Sequence, residues 1–472
     1  MSRKQFGDSA VGFSRSNEDD FRRALDWILK CGIFKDLSFH GNTKWQPVQL
    51  VALALLWVWS SKASLTDAFT DGHRWSTKLF GRVALTTYQG LVGALVTWTP
   101  TLIPLLWDRI HRLMEQTGGE HWRIGKWVAI AIDGSRDDTP RTQANEVRFC
   151  AKNFGKGKTA KYRKKKSKGM RRKRNRKSPP HPVKPQVWIT LLWHMGLRLP
   201  WSWKLGPSDS SERLHLIQIL TERLFPENTL FCGDAGFVGY DFWKAIIEGG
   251  HDFLMRVGGN VRLLKDLGHI RQRKDLVYCW PNQAMLKKQP PLVLRLLKFR
   301  NGRKFIYLVT TVLDERSLSG RVAEELYRQR WGIEVQFRSL KQTFGRCKLR
   351  SRNPDRALVE MEWSLLGLTV IQLWAITEQR RAGLLPEQLS VAQAIRAVRQ
   401  CLDGLGEQPT PGNSLRALLK QATLDDYVRS SNKEARYKPK TRDKPSAGKP
   451  IVKSASSRHK LQLQQHFETL AA

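Results

Sequence analysis

Trp127-Val-Ala-Ile-Ala-Ile-Asp133 is a short apolar run, rich in β-branched residues, that ends on a carboxylate followed by Gly134. Branching at Cβ restricts χ1 and suits a pleated surface, so the run predicts a buried strand stopping at Asp133. Working outward, Gln186-Val-Trp-Ile-Thr-Leu-Leu-Trp-His194 and Leu199-Pro-Trp-Ser-Trp-Lys-Leu-Gly206 supply two further strands joined around Gly196. Leu214, Ile217, Leu220 and Leu224 then recur at helical spacing, and Thr229-Leu-Phe-Cys-Gly-Asp234 is a fourth strand with an acid at its end. A helix capped by Asp241 and closed by Gly249 and Gly250 leads to a fifth strand, Asp252-Phe-Leu-Met-Arg-Val257.

The alternation predicts an α/β protein. Three strands, a helix and a fourth strand match a ribonuclease-H-like catalytic core, in which carboxylates end the first and fourth strands and a third comes from a later helix. That helix is Tyr327-Arg-Gln-Arg-Trp-Gly-Ile-Glu-Val-Gln-Phe-Arg-Ser-Leu-Lys341, where Tyr327, Arg330, Glu334 and Lys341 follow the spacing Y-x2-R-x3-E-x6-K. Steps of three, four and seven residues place the four polar groups on one helical face, beside an apolar stripe of Ile333, Phe337, Leu340 and Phe344. A lone Glu among cations suits a site that holds a divalent metal and a phosphodiester together, since the cations pair with phosphate where the Glu pairs with metal. Asp133 and Asp234 each precede small residues, Gly134 in one case and Ala235 and Gly236 in the other, which leave room for a phosphate backbone to approach. Three converging carboxylates supply oxygen ligands for two magnesium ions, one activating an attacking hydroxyl and the other stabilising the leaving oxygen.

With these residues the chain resembles a DDE transposase of the bacterial insertion-sequence family four. That family is marked by the Y-x2-R-x3-E-x6-K motif, a first Asp in a strand-end Asp-Gly or Asp-Thr turn, and a second in Asp-x-Gly-Phe or Asp-x-Gly-Tyr, here Asp234-Ala-Gly-Phe237. The resemblance covers about Lys126 to Lys348. It implies a β-rich insertion between the second Asp and the Glu, and metal-dependent cleavage at the element's ends, often through a hairpin intermediate. It further implies transfer of the 3′-hydroxyl into target DNA by a homodimer on the terminal inverted repeats, with Mg2+ as cofactor and Mn2+ able to substitute. Asp133, Asp234 and Glu334 become the catalytic metal ligands, and Tyr327, Arg330 and Lys341 the DNA-binding contacts near the cut. Trp280 is the candidate for stacking on a flipped base, whereas Trp331 is expected to pack the helix. The alternatives are a nuclease with the same core but no strand transfer, and a catalytically inactive DNA-binding protein derived from a transposase.

Charge points the same way. The 472 residues carry 81 Lys and Arg against 42 Asp and Glu, a formal charge of +39, which calls for a polyanionic partner. Lys152 to Lys184 alone holds 16 Lys or Arg and no acid. Six cysteines without C-x-x-C or Cys/His clustering argue against a zinc site or a disulfide scaffold and for a reducing compartment. The first twenty residues lack an apolar signal core, and the longest apolar run, Leu365 to Ile376, is too short to cross a bilayer. The expectation is a cytoplasmic, nucleoid-associated protein that does not enter a membrane.

The expected domains are a helical N-terminal domain at 1–120, a candidate for binding DNA ends, and a catalytic domain at 121–258 and 313–380. The latter carries a basic arm at 152–184 and is interrupted by a β-strand insertion at 259–312. Met361 to Ile376 is expected to pack on that core. C-terminal helices occupy 381–428, and 429–472 reads as a basic, disordered tail. If the 152–184 arm clamps DNA beside the cut, deleting 156–180 lowers the salt dependence of duplex binding by about 0.9 in slope per phosphate released. An unchanged slope and affinity in a fluorescence titration rejects that role.

Overall fold

The computed structural model describes residues 16–29, 31–39, 43–151, 184–268, 273–301, 304–408, 410–425 and 448–471. They fall into two compact units: Met1–Thr117, Thr343–Gly345 and Val359–Leu424 form one, and Gly118–Gln342, Arg346–Leu358 and Asp425–Ala472 the other. All of the basic arm except Lys184 lies outside the described residues.

The second unit is built on one sheet. Its first strand, β1 (Val128–Asp138), is buried on both faces from Val128 to Ile132, as its continuous apolar run requires. β2 (Gln186–His194) and β3 (Leu199–Gly206) follow as an antiparallel meander. The helix Glu212–Glu222 leads to β4 (Thr229–Gly233), parallel to β1, and the helix Tyr240–Glu248 leads to β5 (Asp252–Val257), parallel to β4. These five strands lie in the order β3-β2-β1-β4-β5. β1 runs five residues beyond the expected stop at Asp133, because its pairing with β2 continues to Asp138↔Gln186 while its pairing with β4 ends at Ala131↔Cys232.

The stretch read as a separate β insertion extends the same sheet. β6 (Arg262–Lys265), β7 (Leu276–Cys279), β8 (Leu292–Asn301) and β9 (Lys304–Thr310) continue outward from β5, which pairs antiparallel with β9. Without β9, the apolar strand Leu254–Val257 would leave a row of unpaired backbone groups at an open edge. The chain's tail corrects a second expectation. Residues 448–471 were assigned to a disordered segment by charge, yet Ile451–Ser454 forms β10, parallel to β6, and Ser457–Ala471 is a helix. Local pairing of Ile451 and Val452 with β6 and burial of Leu463 outweigh the low overall hydrophobicity.

The first unit is helical: Asn17–Leu29, Pro47–Trp59, Leu65–Phe80 and most of Tyr88–Gly118, then Pro354–Arg381 from Val359 onward, Val391–Asp403 and Leu415–Lys420. Pro47 opens its helix as expected, and Ser64 caps the next by accepting the Asp67 N–H. The division differs from the expected one, since Val359–Leu424 groups with the N-terminal helices, where residues up to 380 were expected in the catalytic domain and 381–428 as separate C-terminal helices. Side-chain geometry explains the grouping: Trp59 donates its indole N–H to the Gly367 carbonyl at 3.0 Å, and Trp363 donates to Thr99 at 2.8 Å. Two helices, Tyr88–Trp122 and Pro354–Arg381, are long and apolar enough to cross a membrane by length and composition, but the apolar window of the second is 94% buried within the protein.

One glycine sets how closely the signature helix approaches the sheet. A Cβ on Gly332 would fall 2.7 Å from Cζ3 of Trp193 on β2, and that indole is buried. Gly332→Ala is therefore expected to cost about 1–3 kcal/mol of stability through overpacking, despite alanine's better helix propensity. Urea unfolding checks this, and an unchanged midpoint would show that Trp193 yields freely.

Candidate active site

The parallel pairing of β1 with β4 brings the two aspartates level. Ala131 pairs with Cys232, so continuing the register two steps sets Asp133 beside Asp234, at the point where the strands part. The Asp133 carboxylate is half-buried and accepts the Gly134 N–H at 2.9 Å. Asp234 follows the last residue of β4 and accepts the Gly236 N–H at 2.7 Å, forming a local turn. Phe237 anchors that turn: its side chain is fully buried and its carbonyl accepts the Trp243 indole N–H at 3.0 Å.

The Y-x2-R-x3-E-x6-K stretch is not one uniform helix. A helix Gly320–Gln329 ends at Arg330, a second runs Gly332–Arg338, and a π turn spans Ser339–Thr343. Backbone bonds tighten to three-residue steps at Trp331→Arg328, Ile333→Arg330 and Glu334→Trp331, then widen in the π turn. The tight and loose segments offset one another only partly. Tyr327, Arg330 and Glu334 stay together, with the Arg330 guanidinium 5.6 Å from the Tyr327 ring centre and 3.7 Å from the Glu334 carboxylate. Lys341 is drawn elsewhere, pairing at 2.9 Å with Asp137, whose side chain is 0% exposed, and donating to the Arg136 carbonyl at 2.6 Å.

The apolar stripe Ile333, Phe337, Leu340 and Phe344 is buried as expected. The two tryptophans reverse the expected burial. Trp331 is 57% exposed because Gly332 occupies the inward position over Trp193, whereas Trp280 is 5% exposed and donates its indole N–H to the Gln289 carbonyl at 2.8 Å. Trp280 thus sits as a core residue, without the open ring face that base stacking requires.

A family model described as a transposase DDE domain matches residues 126–370, just over half of the chain and all the carboxylates above. The chain belongs to the DDE transposases. It is 26% identical over 323 residues to the transposase InsG for insertion sequence element IS4 of Escherichia coli strain K12, and the insertion-sequence-four family expected from the motif is borne out. That match spans 66% of this chain and 66% of the relative, just under two thirds of its length. A solved structure, the piggyBac transposase synaptic complex with hairpin DNA, is similar at 13% identity with a TM-score of 0.35, covering 91% of this chain and 81% of that one.

In this chain the carboxylates are electrostatically coupled. Burial pushes the Asp133 carboxyl up to about 6; the Gly134 N–H and Arg330 oppose the shift, and the negative charges of Asp234 and Glu334 add to it. A fourth acid joins them. Glu212, in the first turn of the helix after β3, is pushed up to about 7 by burial and then by Asp133 and Asp234, with Arg136 and Arg213 opposing. The sequence reading passed over Glu212, although the antiparallel meander puts the end of β3, and so the start of that helix, at the same sheet edge as the end of β1.

DDE transposases depend on divalent metal ions, and the donor set here suits them: hard carboxylate oxygens whose mutual repulsion the neighbouring cations offset only in part. Among the described residues, no three His, Cys, Asp or Glu side chains already surround one point. Magnesium is commonly held by one or two carboxylates together with substrate phosphates, and separated acids on one edge fit that mode.

The raised carboxyls carry a stability consequence. A group whose folded value lies above its unfolded one stabilises the fold when protonated and ceases to do so as pH rises through the folded value. Without divalent cation, melting temperature is therefore expected to fall between about pH 4 and 7, from the unfolded carboxyl values to the raised folded ones. Asp133→Asn should raise stability at pH 8 by on the order of 1 kcal/mol and flatten that slope. Calorimetry across this range checks it; a less stable Asp133→Asn protein at pH 8 contradicts it.

Proposed function

We propose that this transposase cleaves the phosphodiester backbone at the ends of its own insertion sequence and joins the freed 3′-hydroxyl to target DNA, in a cut-and-paste reaction with two magnesium ions. The strand order β3-β2-β1-β4-β5, antiparallel across the first three and parallel across the last, supports a ribonuclease-H-like core. The observation that carries the reading is Arg330. Its side chain is 7% exposed and sits beside Glu334 within reach of Asp133, yet its Nε and Nη1 are buried without a hydrogen-bond partner. A buried guanidinium with unused donors is costly in isolation and matches the bidentate demand of a phosphate group.

Asp133, Asp234 and Glu334 would hold the metal ions, which when bound lower the pKa of an attacking hydroxyl and offset charge on the leaving oxygen. The protein's own groups position the phosphate. Arg330 would donate to its non-bridging oxygens, and the small residues at Gly134, Ala235 and Gly236 allow the DNA backbone to approach the sheet edge. Tyr327 would direct the Arg330 guanidinium through its ring face. Lys341 holds the π turn onto β1 through Asp137 and would reach a phosphate only by leaving that pair. In the first step a water oxygen bonds to phosphorus as the bond to the 3′-oxygen breaks; in the second that 3′-hydroxyl attacks a target phosphodiester and releases the target's own 3′-oxygen. Terminal inverted repeats and target DNA are the partners in this reading, the active species is a homodimer, and the site of action is the cytoplasm at the nucleoid.

Incubation of the protein with an end-containing duplex, a target plasmid and Mg2+ tests this. Asp133→Ala, Asp234→Ala and Glu334→Ala are each expected to lose cleavage by about a hundredfold or more. Variants that cleave like the parent reject the site, and cleavage without joining to the plasmid replaces strand transfer with simple nuclease activity.

A further inference from the structure

Glu212 lies against the catalytic strand: a Cβ built on Gly134 would fall 2.7 Å from the Glu212 Cδ and Cγ, so the acid rests on the backbone next to Asp133. We infer that Glu212 is a fourth ligand of the active site, sharing a divalent cation with Asp133; this rests on the proposed metal-dependent chemistry.

Three observations carry it. The first is position: the helix Glu212–Glu222 starts at the carboxyl edge of β1 and β4, because β3 emerges at the same edge. The second is the use of nearby cations. Arg213 donates to the Val238 carbonyl at 2.6 Å and Arg136 lies over the Trp188 ring at 4.2 Å, and among the described residues neither forms an ion pair with Glu212. A first-turn glutamate kept only for the helix dipole gains as much pointing to solvent, away from the like charges of Asp133 and Asp234. The third points to a ligand independently. Arg330, more than nine-tenths buried with Nε and Nη1 unpartnered, lies beside Glu334 and acts on the charge of Asp133, the carboxylate that Glu212 adjoins, and supplies an anion site where a phosphate would complete the coordination of a cation.

Mn2+ binding to the full-length protein without DNA, read from the free-ion signal in electron paramagnetic resonance, tests the inference. Glu212→Gln is expected to weaken the tightest site about tenfold, with circular dichroism unchanged. Gly134→Ala keeps every carboxylate but displaces that of Glu212, and it should weaken binding similarly. If both variants bind Mn2+ within about twofold of the parent while Asp133→Asn loses it, Glu212 is no ligand and the three-carboxylate reading stands. If Asp133→Asn, Asp234→Asn and Glu334→Gln also bind like the parent, the metal-dependent reading fails and takes this inference with it.

Discussion

β1 is held by β2 through Asp138 but by β4 only through Ala131, and the active site occupies the space that this unequal pairing opens. Continuous pairing on both sides would close the sheet over Asp133, and an earlier end on both sides would let the strand fray. One firm neighbour keeps Asp133 rigid while the parting one leaves room for Asp234 and for whatever lies between them. The motif helix then docks on this frame through Gly332, which allows it to lie against Trp193.

The site gathers like charges in a half-buried place, which opposes folding. Arg330 and the Gly134 N–H offset only part of that cost for Asp133, and Glu212 adds another acid. Such an arrangement trades stability for the ability to take up cations and phosphate, in keeping with strain stored at functional positions. Lys341 and Asp137 make the opposite arrangement nearby: opposite charges, the acid fully buried and the amine partly so, that fasten the π turn to β1. Loss of Lys341 would strand the Asp137 carboxylate in a poorly solvated place.

What could be read from the chain was whatever depends on near neighbours. Asp133 and Asp234 follow apolar runs and small residues, and Arg330 and Glu334 are four apart, so local rules sufficed for them. Lys341 escaped because a π turn changes the phase of its side chain, and seven-residue spacing is blind to that. Trp331 and Trp280 reverse the expected burial because exposure there is decided by Gly332 meeting Trp193 and by Gln289 meeting the Trp280 indole, contacts that spacing does not encode. Glu212 looked like an ordinary helix-start acid, and only sheet direction reveals which edge it joins. That the β6–β9 strands join the core sheet and that the 448–471 tail is ordered went unread for a related reason, since edge pairing between strands far apart in sequence leaves little trace in composition.

The helical unit is assembled mainly from Met1–Thr117 and Val359–Leu424, and most of the strand-rich unit is encoded between them, with Asp425–Ala472 following. During synthesis the helices up to Thr117 emerge first, with Trp59 and Thr99 still waiting for Gly367 and Trp363. Their apolar faces stay open until the ribosome has passed Leu424, while the sheet can form most of its strands in the meantime. Most of the sheet can thus mature before the helices that precede it in the chain, and the first helices made are the ones most exposed to chaperones and to aggregation.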